Sequence, residues 1–270
     1  LFRSYRSSRI RDQFYDSIRD GSTLVTTTGT CVGQVNALSV LSTGGFEFGL
    51  SNRVTASCYY GDGGVMDIER DVKLGGNIHS KGVMILTGFL GSRYAQKYPL
   101  EISASIALEQ SYGYVDGDSA SLGEVCTLIS ALSRTPLKQC FAITGSINQF
   151  GEVQAVGGVN EKIEGFFRLC QARGLTGQQG VIIPRSNVPN LMLDEEVLQA
   201  VRAGEFAVYA VSCVDQALAL LAGAPAGELN AEGDFTEGSI NALVVARLAE
   251  IAERDREEDE DGEQADAEGK

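Results

Sequence analysis

The chain has 270 residues, 43% of them hydrophobic, with 32 Gly and 5 Pro, enough apolar material for one sizeable core. Its formal charge of −14 argues against a protein that grips nucleic-acid phosphates, and no run nears the ~18–20 uninterrupted apolar residues of a membrane-spanning helix. Eleven acids stand against three bases from Glu250 to Lys270, so much of that charge belongs to what reads as a solvated, partly disordered tail.

Residues 1–20 carry Phe2, Tyr5, Ile10, Phe14 and Ile18 at helical spacing, with Gly21 as a stop. The chain opens on Leu1 in mid-pattern and shows no basic region followed by an apolar stretch. It is therefore expected to be a piece of a longer protein, with residues 1–21 as a connector helix. From Ser22 to about Gly75 the segments LSVLS, GFEFGL, RVTASCYY and VMDIER read as short strands, with turns at 43–45 and 61–64. GGNIHSKG (75–82) reads as a glycine-bounded loop leading into a helix that ends before Pro99.

EISASIALEQS (101–111) reads as a buried strand and SASLGEVCTLISALS (119–133) as a helix. Strand CFAITGSI (140–147), helix 158–173, strand VIIP (181–184), helix DEEVLQAVRAG, strand EFAVYAV and helix VDQALALLAG follow in alternation. A β-rich first third followed by strand–helix alternation predicts an α+β domain over residues 22–224. Residues 225–270 read as a linker, an amphipathic helix with Ile240, Val244, Leu248 and Ile251 on one stripe, and the acidic tail. That stripe suits docking on the domain or on a neighbouring subunit.

Cys31, Cys58, Cys126, Cys140, Cys170 and Cys213 form neither a C-x-x-C pair nor a zinc or disulfide spacing. They read as reduced thiols of a cytosolic, cytoplasmic protein, most of them small core residues.

The segment VDGDSAS places Ser119 after a glycine turn, at the expected start of a helix. A serine there is either a helix cap or an exposed nucleophile near helix N–H groups. A nucleophilic serine needs a base. The single histidine, His79, has no evident partner in sequence, and neither G-x-S-x-G nor S-x-x-K occurs around the serine. The other source is a lysine kept neutral by burial. Lys162 lies in GGVNEKIEGFFRLCQARG, among Ile163, Phe166, Phe167 and Leu169, behind a glycine pair that allows close backbone approach. Taken singly, it reads more readily as a surface lysine in a helix's first turns.

The chain resembles the Lon proteases, most closely their archaeal-type and related bacterial Lon-like branch. VDGDSAS is similar to the family's serine motif, and TGSINQFGEVQAVGGVNEKIEGFFRLCQARGLTG to its lysine motif. The two positions stand 43 residues apart, as in the family. IERDVKLGGNIHSKGVMILTGFL, PLEISASIALEQSY and GVIIPRSNV extend the likeness from about Gly33 to Gly223.

The resemblance implies the Lon proteolytic fold (ribosomal protein S5 domain 2-like) and peptide-bond hydrolysis, with Ser119 as nucleophile and Lys162 as general base. It implies that Thr144 orients the lysine and that backbone N–H groups around Asp116, Gly117, Asp118 and Ser119 hold the oxyanion. Asp118 and Ala120-Ser121 stand where the commoner bacterial form has Pro and Ala-Gly, and Ser105 and Ala107 replace its upstream histidines. Asp116 and Asp118 lie close enough in sequence to suggest a resting carboxylate–lysine pair. The expected partners are unfolded or damaged polypeptides and further copies in a six-membered ring, with neither nucleic acid nor membrane. No cofactor is expected here: G-x-x-x-x-G-K-[ST] is absent, so ATP and Mg belong to an ATPase module outside this chain. A non-catalytic assembly domain of the same fold is the alternative.

Overall fold

Side-chain alternation organises the structure, a computed structural model that describes the backbone of residues 2–43 and 46–268 and the side chains within 9–42 and 47–254. Gly44 and Gly45 of the expected turn, the side chains of Phe2 and Tyr5, and those of the acidic tail from Asp255 lie outside the described residues. The helices are α1 (Phe2–Arg19), α2 (Ile68–Asp71), α3 (Asn77–Tyr94), α4 (Ser121–Ser133), α5 (Val159–Arg173), α6 (Glu195–Arg202), α7 (Val214–Ala222) and α8 (Ile240–Glu268), with a 3₁₀ turn at Arg185–Asn190. The strands are β1 (Thr30–Cys31), β2 (Gln34–Thr43), β3 (Phe46–Tyr60), β4 (Gly64–Asp67), β5 (Ile102–Leu108), β6 (Leu137–Lys138), β7 (Phe141–Ile143), β8 (Ser146–Ile147), β9 (Val153–Gln154), β10 (Gly180–Pro184) and β11 (Ala207–Val211).

Seven strands form one mixed sheet in the order β11-β10-β7-β2-β3-β5-β4. From β11 to β2 the neighbours are parallel, β2-β3-β5 run antiparallel, and β4 closes the edge parallel to β5. The fold is thus mixed α/β, and early and late strands share one sheet. Along β2, Val35 and Ala37 face one core and Leu38 the other; on β10, Ile182 faces the first while Val181 and Ile183 face the second. The first core receives α3, α4, α7 and α8, the second α1, α5 and α6.

Several expectations are corrected. GFEFGL and RVTASCYY join into the single 15-residue strand β3, because β2 pairs along ten consecutive positions. VMDIER divides into β4 and a short helical turn. GGNIHSKG is a loop only at Gly75 and Gly76; Asn77 opens α3, and His79, Gly82, Val83 and Leu86 fall on its buried face. β5 is buried on alternate residues alone, Ile102, Ala104, Ile106 and Leu108 facing the core. The run 140–147 breaks at Thr144–Gly145.

The stripe on α8 docks on the domain itself: Ile240, Val244, Leu248 and Ile251 are buried in the first core, against α4 and α3. The backbone stays helical to Glu268, where a partly disordered tail was expected. Residues 225–239 fold on themselves through an isolated bridge between Leu229 and Phe235 and are tied to the domain by Asn241, which accepts from Tyr94 Oη at 2.6 Å and donates to the Gly227 carbonyl at 3.1 Å. No disulfide joins the six cysteines, and no helix among the described residues is long and apolar enough to cross a membrane.

Leu248→Ala should lower unfolding free energy by ~2–4 kcal/mol, whereas Leu243→Ala, on the half-exposed face of the same helix, should change it by less than ~0.5 kcal/mol. Equal small effects in denaturant melts would show that α8 is not part of the cooperative core.

Candidate active site

Helix α4 is the platform. Eleven of its residues, from Ser121 to Ser130 and Leu132, are buried, the polar Ser121, Glu124, Thr127 and Ser130 among them. The turn that enters it is shaped by Gly117, whose φ of +113° is a conformation side chains rarely adopt. Asp116 ties this turn to the start of α3: its Oδ1 accepts from the backbone N–H groups of Ile78, His79 and Gly117 at 3.1, 3.3 and 2.9 Å. Gly82 packs closely on Asp118, since a Cβ there would lie 3.2 Å from Asp118 Cβ.

Ser119 does not cap the helix. The cap position is Ala120, with no side-chain hydrogen bond, and Ser119 Oγ instead meets Lys162 Nζ at 3.0 Å. The break in the sheet after β7 makes this meeting possible. Gly145 N–H donates to the Ser119 carbonyl at 2.9 Å and the Gly145 carbonyl accepts from Leu122 N–H at 3.1 Å, so the end of β7 grips the turn from both directions. Thr144, fully buried, donates its hydroxyl to the Ser119 carbonyl at 3.2 Å and accepts from Lys162 Nζ at 3.1 Å.

Lys162 is brought in by close backbone contact. Gly158, in a left-handed conformation at φ +65°, opens α5, and Asn187 pins the approach by bonding both the N–H and the carbonyl of Val156. A closer contact was not read from the sequence: a Cβ at Gly49 on β3 would lie 2.1 Å from the Glu161 carbonyl oxygen, and one at Gly165 would lie 2.5 Å from the Gly49 carbonyl oxygen. The signal available was a glycine inside a strand. Of the expected glycine pair, Gly158 packs on Val40 while Gly157 has open space.

Burial lowers the Lys162 pKa from 10.5 to about 8, against a smaller opposing pull from the Asp118 charge. The expected carboxylate–lysine pair is not formed: no ion pair to Lys162 occurs among the described residues, since Asp116 is engaged by backbone and Asp118 Oδ2 accepts from Ser146 Oγ at 2.8 Å. His79 is also corrected, from a loop residue without a partner to a buried residue of α3. Its Nε2 faces Asp67 at 3.3 Å and its Nδ1 faces Glu124. Burial works to lower its pKa but is outweighed by the Asp67 hydrogen bond and the Glu124 charge, so it is raised. Neither ring nitrogen is directed at Ser119.

A hydroxyl held against an amine that burial discharges can lose its proton to that amine. This site lies within residues 106–222, which match the Lon protease (S16) C-terminal proteolytic domain. The chain is 49% identical over 221 residues to the "Putative Lon protease homolog" of Escherichia coli, covering 81% of this chain and 38% of that protein. It is 46% identical over 251 residues to its namesake in Haemophilus influenzae, covering 92% and 41%. It is 29% identical over 211 residues to the archaeal Lon protease of Archaeoglobus fulgidus, covering 78% and 31%. The chain belongs to the Lon protease family through its S16 proteolytic domain, and it spans about two fifths of the two bacterial relatives.

Two stability measurements check the site. Gly49→Ala should displace α5 and cost ~1–3 kcal/mol, while Gly91→Ala, where a Cβ meets nothing within 4 Å, should be neutral or stabilising by up to ~1 kcal/mol. Because the folded pKa of Lys162 lies below its unfolded value, the folded state binds fewer protons between about 8 and 10.5. Stability should therefore rise through that window relative to Lys162→Met, by ~3 kcal/mol in all. A pH-independent difference would contradict the burial argument.

Proposed function

We propose that this domain is a serine endopeptidase with Ser119 as nucleophile and Lys162 as general base. The observation that carries the reading is the 3.0 Å approach of Lys162 Nζ to Ser119 Oγ in a site with no competing base at the hydroxyl. Thr144 supports it: its only proton is directed to the Ser119 carbonyl, so its oxygen can only accept from the lysine. That bond holds an N–H away from Ser119 and turns the lone pair of the neutral amine toward the hydroxyl.

In the first step Lys162 takes the Ser119 proton as Oγ attacks the peptide carbonyl carbon. Among the described residues the backbone N–H groups of Asp118 and Ser119 make no hydrogen bond, which leaves them for the developing oxyanion. Gly117 N–H, engaged by Asp116, is not available in this arrangement. Lys162 then gives its proton to the departing amine, and a water deprotonated by the same lysine releases the acyl group. On this reading the substrates are unfolded or damaged polypeptides, ATP is used by a module outside this chain, and copies form a six-membered ring in the cytoplasm. The support for these wider statements is the likeness to proteins named Lon protease.

Cleavage of casein and fluorogenic peptides tests the proposal. Lys162→Met should lower kcat by ~10²–10⁴-fold, Ser119→Ala should abolish turnover, and Thr144→Val should cost about tenfold, the worth of one hydrogen bond. kcat/KM should climb with pH and level off near the Lys162 pKa of about 8. A fluorophosphonate should label Ser119 in the wild type. Turnover that survives Lys162→Met, or a wild-type protein neither labelled nor active, would reject the dyad and favour a non-catalytic domain of the same fold.

A further inference from the structure

Behind the serine turn lies a second cluster of ionisable groups that the hydrolysis does not use. Asp67 ends β4, Glu69 lies in α2, His79 in the first turn of α3 and Glu124 in α4, and their exposures are 0%, 4%, 2% and 1%. No lysine or arginine pairs with these acids among the described residues. Three carboxylates thus share one imidazole out of water, an arrangement costly unless compensated.

The hydrogen bonds leave it incomplete. Glu69 Oε1 is held by Leu108 N–H at 2.9 Å. Asp67 Oδ2, Glu69 Oε2 and Glu124 Oε1, however, are three of the six buried polar side-chain atoms without a hydrogen-bond partner among the described residues. Such atoms are uncommon, and an ion is one of their ordinary explanations. One atom from each of Asp67, Glu69 and His79 lies within 4.8 Å of the others, and Asp67 Oδ2 is 3.2 Å from His79 Nε2. Two donors each ~2.1 Å from one ion stand ~3–3.5 Å apart at tetrahedral or octahedral angles.

We propose that Asp67, Glu69 and His79 bind a divalent transition-metal ion, with Glu124 accepting the outer ring N–H of His79. The histidine is oriented for this role, Nε2 toward Asp67 at 3.2 Å and Nδ1 toward Glu124 Oε1 at 3.9 Å. A carboxylate behind a metal-bound imidazole fixes its tautomer and strengthens it as a ligand. Two carboxylates balance a dication. One nitrogen and two oxygens, without thiolate, suit manganese, iron, cobalt or zinc rather than magnesium or calcium. The ion joins β4, α2 and α3, and the N–H groups of Ile78 and His79 on α3 hold Asp116. It therefore stiffens the turn that presents Ser119 without entering the hydrolysis.

The test reads binding directly, so it stands apart from the dyad. Chelator-stripped protein is titrated calorimetrically with Mn²⁺, Co²⁺ and Zn²⁺ and melted with and without each. One ion per chain and a raised Tm are expected, with a Co²⁺ spectrum free of thiolate charge-transfer bands. His79→Gln and Asp67→Asn should weaken binding at least ~100-fold and Glu124→Gln ~10–100-fold, each variant checked for native circular dichroism. Cys31→Ser and Cys213→Ser should leave binding intact. No uptake of these ions by stripped wild type, uptake of magnesium or calcium alone, or uptake unchanged in both His79→Gln and Asp67→Asn would overturn the proposal; the wild-type titration decides even where a variant fails to fold.

Discussion

The amine of Lys162 sits out of water with hydroxyl oxygens as its hydrogen-bond partners, and the difficulty of charging it there constrains everything around it. A carboxylate within reach would hold it protonated. The two nearby acids are both occupied elsewhere, Asp116 by three backbone N–H groups and Asp118 by Ser146. Burial then outweighs the remaining pull of Asp118. An acid needed for the shape of the serine turn is thereby kept from becoming the partner of the lysine.

That placement demands rigidity from segments far apart in the chain. Ser119 enters α4, Thr144 ends β7 and Lys162 lies in the second turn of α5, and each is anchored by backbone. Gly145 clasps the serine turn, Gly158 and Asn187 set the start of α5, and Gly49 lets that helix touch β3. Side chains alone would leave these distances to rotamer choice. Backbone contacts at glycine remove that freedom, because close approach is possible only where no Cβ intervenes.

The same device joins the site to the buried acid–histidine cluster. The first turn of α3 offers its unpaired N–H groups to Asp116, as helix N-termini do for anions, while its third residue, His79, enters the cluster. Whatever holds that turn of α3 also holds the serine turn. Glu124 belongs to the most buried helix of the domain, and burial pushes its carboxyl up to about 7, with the His79 charge opposing.

Local chemistry was legible where one segment decides its own state. The apolar spacing of α5, the glycine before it and the stripe on α8 all marked their elements in the residues themselves. So did the candidate pair: a serine after a glycine turn and a lysine in an apolar helix, at a separation that resembles a family. What folding alone decided is everything that depends on partners distant in sequence. Whether Ser119 caps a helix or meets Lys162, whether Asp116 and Asp118 reach the lysine, and whether His79 is exposed or enclosed by three acids turn on which strands lie side by side. Pairing β7 between β2 and β10 settles the first two, and packing α3 on α4 settles the third. A residue's charge state follows from its surroundings, and those surroundings are assembled from elements that no local window contains.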